Sequence, residues 1–379
     1  MLSFWEKESF VHYDYLIVGG GIVGLSTALS LRERDPSASI VVLERGVFPT
    51  GASTKNAGFA CFGSLTELLS DIQTIGENKA LELVRSRLHG LKKLRGRLGD
   101  DAIDYRNYGG YELLSASDLA ALDKLNEVNN WLSPLFQGPV FEIDNDRIKD
   151  FNFNTTTVKA LVFNPYEGQI DTGKMMQALI SLAQKNGINI LTGTEVVSLE
   201  QSSYGAEVTV QSIYKTRTTL YANKVGLCTN AFTKELLPAI NLNPGRGVVL
   251  VTRPITGLRL KGTFHMDQGY YYFRNFKDRV IFGGARNLFL KEEQTTDFDI
   301  NEKVLDALKQ QLDNVILPEV KYEVDHTWTG IMAFGRDKQP ILKQHTDSIF
   351  TGVRLGGMGV AIGSNIGEEL ASMMCPCTP

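Results

Sequence analysis

Residues Tyr13-Asp14-Tyr15-Leu16-Ile17-Val18-Gly19-Gly20-Gly21-Ile22-Val23-Gly24 run from an apolar segment into a glycine cluster of the form G-x-G-x-x-G. Residues 13–18 alternate and then turn apolar, which predicts a short strand. Apolar residues at helical spacing over 25–31 predict the helix that the glycines open. Pro36 marks the next break, and the continuous run Ile40-Val41-Val42-Leu43 predicts a strand buried on both faces. Strand, helix and strand within about 30 residues is the size of one βαβ unit. In that context each glycine has its own task. Gly19 permits the tight turn, Gly21 lets a pyrophosphate approach the backbone, and Gly24 lets helix and strand pack closely. The helix N-terminus at Ile22 and Val23 then offers free N–H groups to phosphate. Glu44 lies twenty residues beyond Gly24 at the end of the second strand, with Arg45 behind it. A carboxylate there can accept both ribose hydroxyl protons. The pattern predicts a dinucleotide site and does not by itself separate FAD from NAD.

Composition bounds the rest. A chain of 379 residues suggests two or three domains at about 150 residues each. With 43% hydrophobic and 22% charged residues it is globular, and a disordered chain is excluded. Lys+Arg 39 against Asp+Glu 43 gives a net charge of −4, which argues against nucleic-acid binding through bulk positive charge. No basic start precedes an apolar run, so no signal peptide is expected. The longest apolar stretch, 15–31, is short for a bilayer and interrupted by glycines, so no membrane span is expected. Cys61, Cys228, Cys375 and Cys377 form no paired CxxC pattern. Reduced thiols, a cytoplasmic location and no metal centre follow as expectations.

Working outward, Gly51-Ala52-Ser53-Thr54-Lys55-Asn56-Ala57-Gly58-Phe59 follows the second strand directly. Its backbone and short hydroxyls suit a second anion cradle. Residues 65–98 and 116–132 read as helical, and 105–114 as a strand pair. Residues 171–186 form an amphipathic helix with Asp171 as N-cap and Gly187 as its stop. Strands are expected at 188–199, 207–220 and 225–228, and dominate 246–286. A final helix over 358–374 is entered through Gly356-Gly357-Met358-Gly359. The order of patterns predicts an α/β fold. A Rossmann-like domain with a parallel sheet is interleaved with an α+β domain on a mainly antiparallel sheet.

At the segment 51–58 the chain resembles the family of D-amino-acid oxidase, glycine oxidase and monomeric sarcosine oxidase. There a segment of the form G-x-S-x-x-x-A-G approaches pyrophosphate and flavin. The resemblance recurs in Thr194-Glu195-Val196, in Cys228-Thr229-Asn230-Ala231, and in Trp328-Thr329-Gly330 followed by Asp337 and Pro340. It recurs again in Leu355-Gly356-Gly357-Met358-Gly359-Val360. It implies FAD as cofactor, held by Gly19, Gly21, Ile22, Val23, Gly24, Glu44, Arg45, Ser53, Thr54, Asn56, Ala57 and Gly58. It adds Val196 beside adenine, Thr229, Gly330, and the flavin loop Gly357, Met358, Gly359 and Val360. The implied FAD-binding domain is 1–75, 160–235 and 325–379; the substrate domain is 76–159 and 236–324.

Departures from the family pattern limit what carries over. The segment Ile331-Met332-Ala333-Phe334 has no cysteine, so non-covalent FAD is expected. Met332 stands where glycine oxidase-like members place a carboxylate-binding arginine, and Ala361 replaces a sarcosine-type lysine. Val280-Ile281-Phe282-Gly283 lacks a lysine used toward oxygen, so O2 or another electron acceptor is open. On the substrate side the resemblance points to Tyr270 first and Tyr272 second. They share one strand face while Tyr271 points away. Arg354 matches a second arginine of glycine oxidase, with an ion pair at a domain seam as the other reading. His265, on the preceding strand, is a candidate for the pocket; Phe59, Lys55 and Arg336 are further candidates near the flavin, and Arg246 is read as structural.

The implied activity is oxidation of the C–N bond of a small-molecule amine or amino acid. A secondary amine or N-substituted amino acid is favoured, with hydride passing to flavin N5 and the imine hydrolysing. A desolvated aromatic pocket favours the neutral amine, so no strong base is required. The alternatives are an NAD-linked dehydrogenase and a flavin-binding protein without turnover.

Overall fold

The computed structural model describes residues 2–376, so Cys377 lies outside the described residues. Asn189–Leu191, Ile40–Leu43, His12–Val18, Arg217–Leu227 and Ile349–Val353 lie side by side in that order, all parallel. Ile341–Gln344 adds an antiparallel edge. The hairpin Thr194–Ser202 and Gly205–Ser212 joins through Arg217–Leu227. The unbroken apolar runs have a direct cause. Tyr15, Ile17, Ile40 and Val42 pack on one side, under the helices Ile22–Arg34, Thr172–Lys185 and Gly359–Met374. Leu16, Val18, Val41 and Leu43 pack on the other, beneath the hairpin. Both faces are covered, so neither can be polar. Asp171 caps its helix by accepting from Lys174 N at 3.0 Å.

The second sheet runs in the order Val324–Phe334, Asn243–Thr252, Arg279–Gly284, Tyr271–Phe276, Thr263–Met266, Gly110–Leu114, Ala160–Asn164, Glu142–Ile143. It is antiparallel except between Thr263–Met266 and Gly110–Leu114. One face is an aromatic core. Phe264 stacks on Phe273 with centroids 4.7 Å apart, and Phe151, Phe153 and Phe282 meet them edge-on. The α/β class with parallel and antiparallel sheets is that of the sequence reading.

Several details differ from the sequence expectation. Ala160–Asn164 and Val324–Phe334 fall largely within the spans assigned to FAD binding, yet both pair into the second sheet. Pairing partners are set by distant residues, which periodicity does not see. The expected strand pair over 105–114 is one strand, Gly110–Leu114, preceded by an isolated bridge from Arg106 to Gln169. The helix expected over 65–98 is two, Leu65–Ile75 and Glu77–Leu98, parted at Gly76 with φ +84°. No helix among the described residues is long and apolar enough to cross a membrane.

Candidate active site

A cavity of about 690 Å³ lies between the two sheets and is lined by residues of both. At one end the glycine turn closes the first strand. Gly19 has φ +109°, and a Cβ there would lie 2.8 Å from the Cys228 carbonyl. A Cβ on Gly24 would lie 1.9 Å from the Gly19 carbonyl, so helix and strand touch there. Gly21 faces Ser53, whose Oγ accepts from Ile22 N at 3.0 Å. The second cradle therefore closes over the N-terminus of the first helix. Thr54 turns away and donates to the Pro49 carbonyl at 2.8 Å. Asn56 holds the loop by donating to the Ser53 carbonyl at 2.8 Å and accepting from Gly58 N at 2.9 Å.

Glu44 is almost fully buried at the cavity wall. Its Oε2 accepts from Gly20 N at 3.1 Å and its Oε1 from Gly46 N at 2.8 Å. Each oxygen keeps a lone pair for a sugar hydroxyl. Arg45 lies over the Phe232 ring at 3.9 Å, beside Val196 and Thr229 in the lining. At the far end Gly330, Gly357, Met358, Gly359 and Val360 line the cavity where the helix Gly359–Met374 begins. The leading N–H groups of a helix lack intrahelical partners and favour negative charge. The glycine turns, the buried Glu44 carboxylate and the helix N-terminus together fit a bound FAD.

Cys61 and Cys228 also line this cavity. Burial pushes the Cys61 thiol well above its ordinary range and the Cys228 thiol up to about 12. Both are therefore thiols and not nucleophilic thiolates.

Arg274 ties the cradle to the second sheet. Its Nε donates to the Ala57 carbonyl and its Nη2 to the Ile170 carbonyl at 3.0 Å. Burial lowers its pKa to about 10. Gly58 sits against it with φ +77°, where a Cβ would lie 2.4 Å from the Ile170 carbonyl.

The cavity face of the second sheet carries a cross-strand row. In register stand Glu112, His265, Tyr272, Gly283, Val249 and Trp328. The Tyr272 ring lies over Gly283, where a Cβ would come within 2.7 Å of it. Phe59 meets His265 and Tyr272 edge-on at 5.4 and 5.8 Å. Burial pushes the Tyr272 hydroxyl up to about 12, against the opposing charge of Arg286. Tyr270 lines the cavity with Tyr272, while Tyr271 packs in the aromatic core.

Arg354 borders the cavity, but its guanidinium is committed elsewhere. It donates to Asp337 at 2.7 Å, the Gln339 carbonyl at 2.9 Å and the Asn241 carbonyl at 3.2 Å. Each of its three nitrogens already donates to the protein, which is the ion-pair reading at a domain seam. Arg246 is likewise paired, with the fully buried Glu293 at 2.8 and 2.9 Å.

Two features were not singled out from sequence. Arg286 follows a turn through Gly284 and Ala285, both at positive φ, and enters the cavity beside the tyrosines. Its guanidinium stacks on Phe334 at 3.9 Å. Among the described residues it has no salt bridge and no hydrogen bond. Burial lowers its pKa, which Tyr270, Tyr272 and Glu293 partly offset. The signal was an arginine separated by one residue from Gly283-Gly284 at the end of a strand. The second feature is Glu167, whose Oε2 meets His265 Nε2 at 2.8 Å and accepts from Thr263 Oγ1 at 3.0 Å.

Known proteins share this architecture. The chain is 21% identical over 376 residues to a probable oxidoreductase, OrdL, of Haemophilus influenzae, covering 95% of this chain and 82% of that one. It is 23% identical over 375 residues to a glycine oxidase of Bacillus licheniformis, covering 96% and 93%. The crystal structure of L-proline dehydrogenase from P. horikoshii superposes with a TM-score of 0.76 at 17% identity, covering 96% and 93%. That likeness shows the fold. The family described as FAD dependent oxidoreductase matches residues 14–373. The chain belongs to this family, the DAO family of FAD-dependent oxidoreductases, and FAD is its cofactor.

Proposed function

We propose that this protein oxidises the C–N bond of an amine that also carries a carboxylate, an amino acid or N-substituted amino acid. Arg286 carries the reading: a half-buried cation with no protein anion, set between Tyr270, Tyr272 and the ring of Phe334. A guanidinium offers paired N–H donors that match a carboxylate, which makes a carboxylate its natural partner. It supplies an anchor where Met332 and Ala361 supply none. FAD, held by the glycine turn at Gly19–Gly24, by the loop around Ser53 and by Glu44, would supply the two-electron acceptor for this oxidation. The chain's own residues orient the substrate. Arg286 fixes its carboxylate, Tyr270 and Tyr272 wall it, and Phe59 packs edge-on against Tyr272. The names of two relatives, glycine oxidase and L-proline dehydrogenase, are both those of amino-acid oxidations. Non-covalent FAD agrees with two cavity cysteines that are both held as thiols.

The test is the visible spectrum of the purified protein during anaerobic titration. The panel is glycine, L-proline, N-alkylated amino acids, the matching amines without carboxylate, and 2-hydroxy acids. Bleaching of the flavin bands by the amino acids, and weakly by the decarboxylated amines, is expected. Bleaching by 2-hydroxy acids alone would overturn the C–N reading. A yellow protein that nothing bleaches would favour flavin binding without turnover. A colourless protein active with NAD would favour the NAD-linked alternative. Repeating turnover with O2 and with an artificial dye identifies the acceptor class.

A further inference from the structure

We infer that His265, held by Glu167, is the proton acceptor for the substrate nitrogen; this rests on the C–N reading above. His265 lines the cavity on the strand beside Tyr272, its direct cross-strand neighbour. Its Nε2 is bound to Glu167 Oε2 at 2.8 Å. Glu167 is itself fixed: Thr263 Oγ1 donates to Oε2 at 3.0 Å and Asn164 Nδ2 to Oε1 at 3.3 Å. A carboxylate so held keeps the imidazole proton on Nε2 and presents Nδ1 as an acceptor. Among the described residues Nδ1 has no partner.

The surroundings suit that role. Glu167 is 1% exposed and His265 4%, so neither is an ordinary surface group. Among the described residues, charged and titratable groups face His265 from several elements. Glu112 stands on the neighbouring strand, bound by Ser64 and Thr66. Glu67 comes from the helix Leu65–Ile75 and is bound by Lys338 at 3.3 Å. Cys61, Glu167 and His265 place their polar side-chain atoms within 4.8 Å of one another. Tyr272 completes the set. Burial alone would push His265 down, but Glu167, then Glu112 and Glu67, hold it above its ordinary value.

The step balances simply. An amino acid arrives with its nitrogen protonated, and in that form the nitrogen has no lone pair to expel hydride from carbon. The N–H bond breaks, its electron pair stays on nitrogen, and the proton forms a bond to His265 Nδ1. No oxidation accompanies this transfer. The two electrons then leave with the C–H bond to FAD.

The experiment compares wild type, His265→Asn and Glu167→Gln as holoenzymes. Flavin reduction by L-proline or whichever amino acid reduces the wild type is followed anaerobically from pH 6 to 9.5. An aliphatic ammonium with a pKa near that of lysine, about 10.4, is neutral in roughly 0.04% of molecules at pH 7 and roughly 10% at pH 9.5. His265→Asn is expected to reduce about 100-fold more slowly at pH 7, within the usual range for a lost general base. Its rate should then climb almost tenfold per pH unit, because only neutral substrate reacts. The wild-type rate falls only as pH drops through the His265 pKa, where Nδ1 takes a proton from solvent. Glu167→Gln removes the carboxylate that holds His265 up, so that limb moves to lower pH.

A second readout does not depend on turnover. Heat of binding of a non-oxidised N-protonated amino acid, in two buffers of different ionisation enthalpy, counts protons released. His265→Asn should release a proton to buffer where the wild type keeps it. A deficit in His265→Asn that is equal at every pH, or absent, overturns the dyad and leaves the C–N reading intact. A wild type that no amino acid or amine reduces overturns both. Retained FAD absorbance in Glu167→Gln keeps the test valid if His265→Asn fails to fold.

Discussion

Replacing Arg286 with methionine removes a cavity-lining cation that, among the described residues, makes no salt bridge and no hydrogen bond. Methionine keeps an apolar contact on Phe334, where the guanidinium now stacks at 3.9 Å. A carboxylate bound by two of the free N–H donors gains about 1.5–3 kcal/mol from each charge-assisted bond. Arg286 is only half-buried, so the upper end is discounted for solvent screening. A loss of about 3–4 kcal/mol remains, which is roughly 10²- to 10³-fold in kcat/KM at 1.36 kcal/mol per decade. The assay is reduction rate against concentration for an amino acid and for its decarboxylated amine. Wild type should prefer the amino acid strongly, and Arg286→Met should prefer neither by more than about threefold. Arg286→Lys keeps the charge but loses the planar fork, so it should recover only part of the preference. A methionine variant that keeps the wild-type preference would sink the carboxylate assignment.

Two further outcomes concern cofactor and stability. Glu44→Ala removes the carboxylate at the ribose end and strips a partner from Gly20 N and Gly46 N. FAD affinity, measured by titrating apoprotein, should fall roughly 10- to 100-fold, and an unchanged affinity would refute its role. Arg246→Ala leaves Glu293, fully buried, without its ion-pair partner and with the neutral Asn301 amide still donating to it. A stranded buried charge costs about 3–5 kcal/mol. The melting temperature should drop by at least about 5 °C, with a drop under 1 °C counting against the pair.

The cofactor half of the site was far more legible in the sequence than the substrate half, and the reason is locality. Gly19, Gly21 and Gly24 act through neighbours within one turn of chain, and Glu44 through the fixed length of a βαβ unit. Their spacing therefore carries their geometry. Glu167 and His265 meet across 98 positions. Arg286 reaches the tyrosines only because Arg279–Gly284 pairs with Tyr271–Phe276. No periodicity encodes such meetings. Arg354 illustrates the converse: its position beside the flavin loop suggested a substrate contact, while its partners Asp337, Gln339 and Asn241 come from loops whose placement depends on the whole fold. The strands Ala160–Asn164 and Val324–Phe334 were not anticipated as strands of the second sheet, because their sheet is chosen by partners far along the chain.

The clamp made by Arg274 joins two equilibria that are usually treated apart. It stands two residues beyond Tyr272 on the same strand, and its guanidinium holds the Ala57 carbonyl of the cofactor loop. Retention of FAD and ordering of the substrate wall are therefore linked. A ligand that steadies the strand through Tyr272 must tighten FAD, and FAD must tighten that ligand by the same factor, since coupling between sites is reciprocal. Cofactor loss in this protein is then a cooperative opening of the substrate wall as well as a local release at the glycine turn.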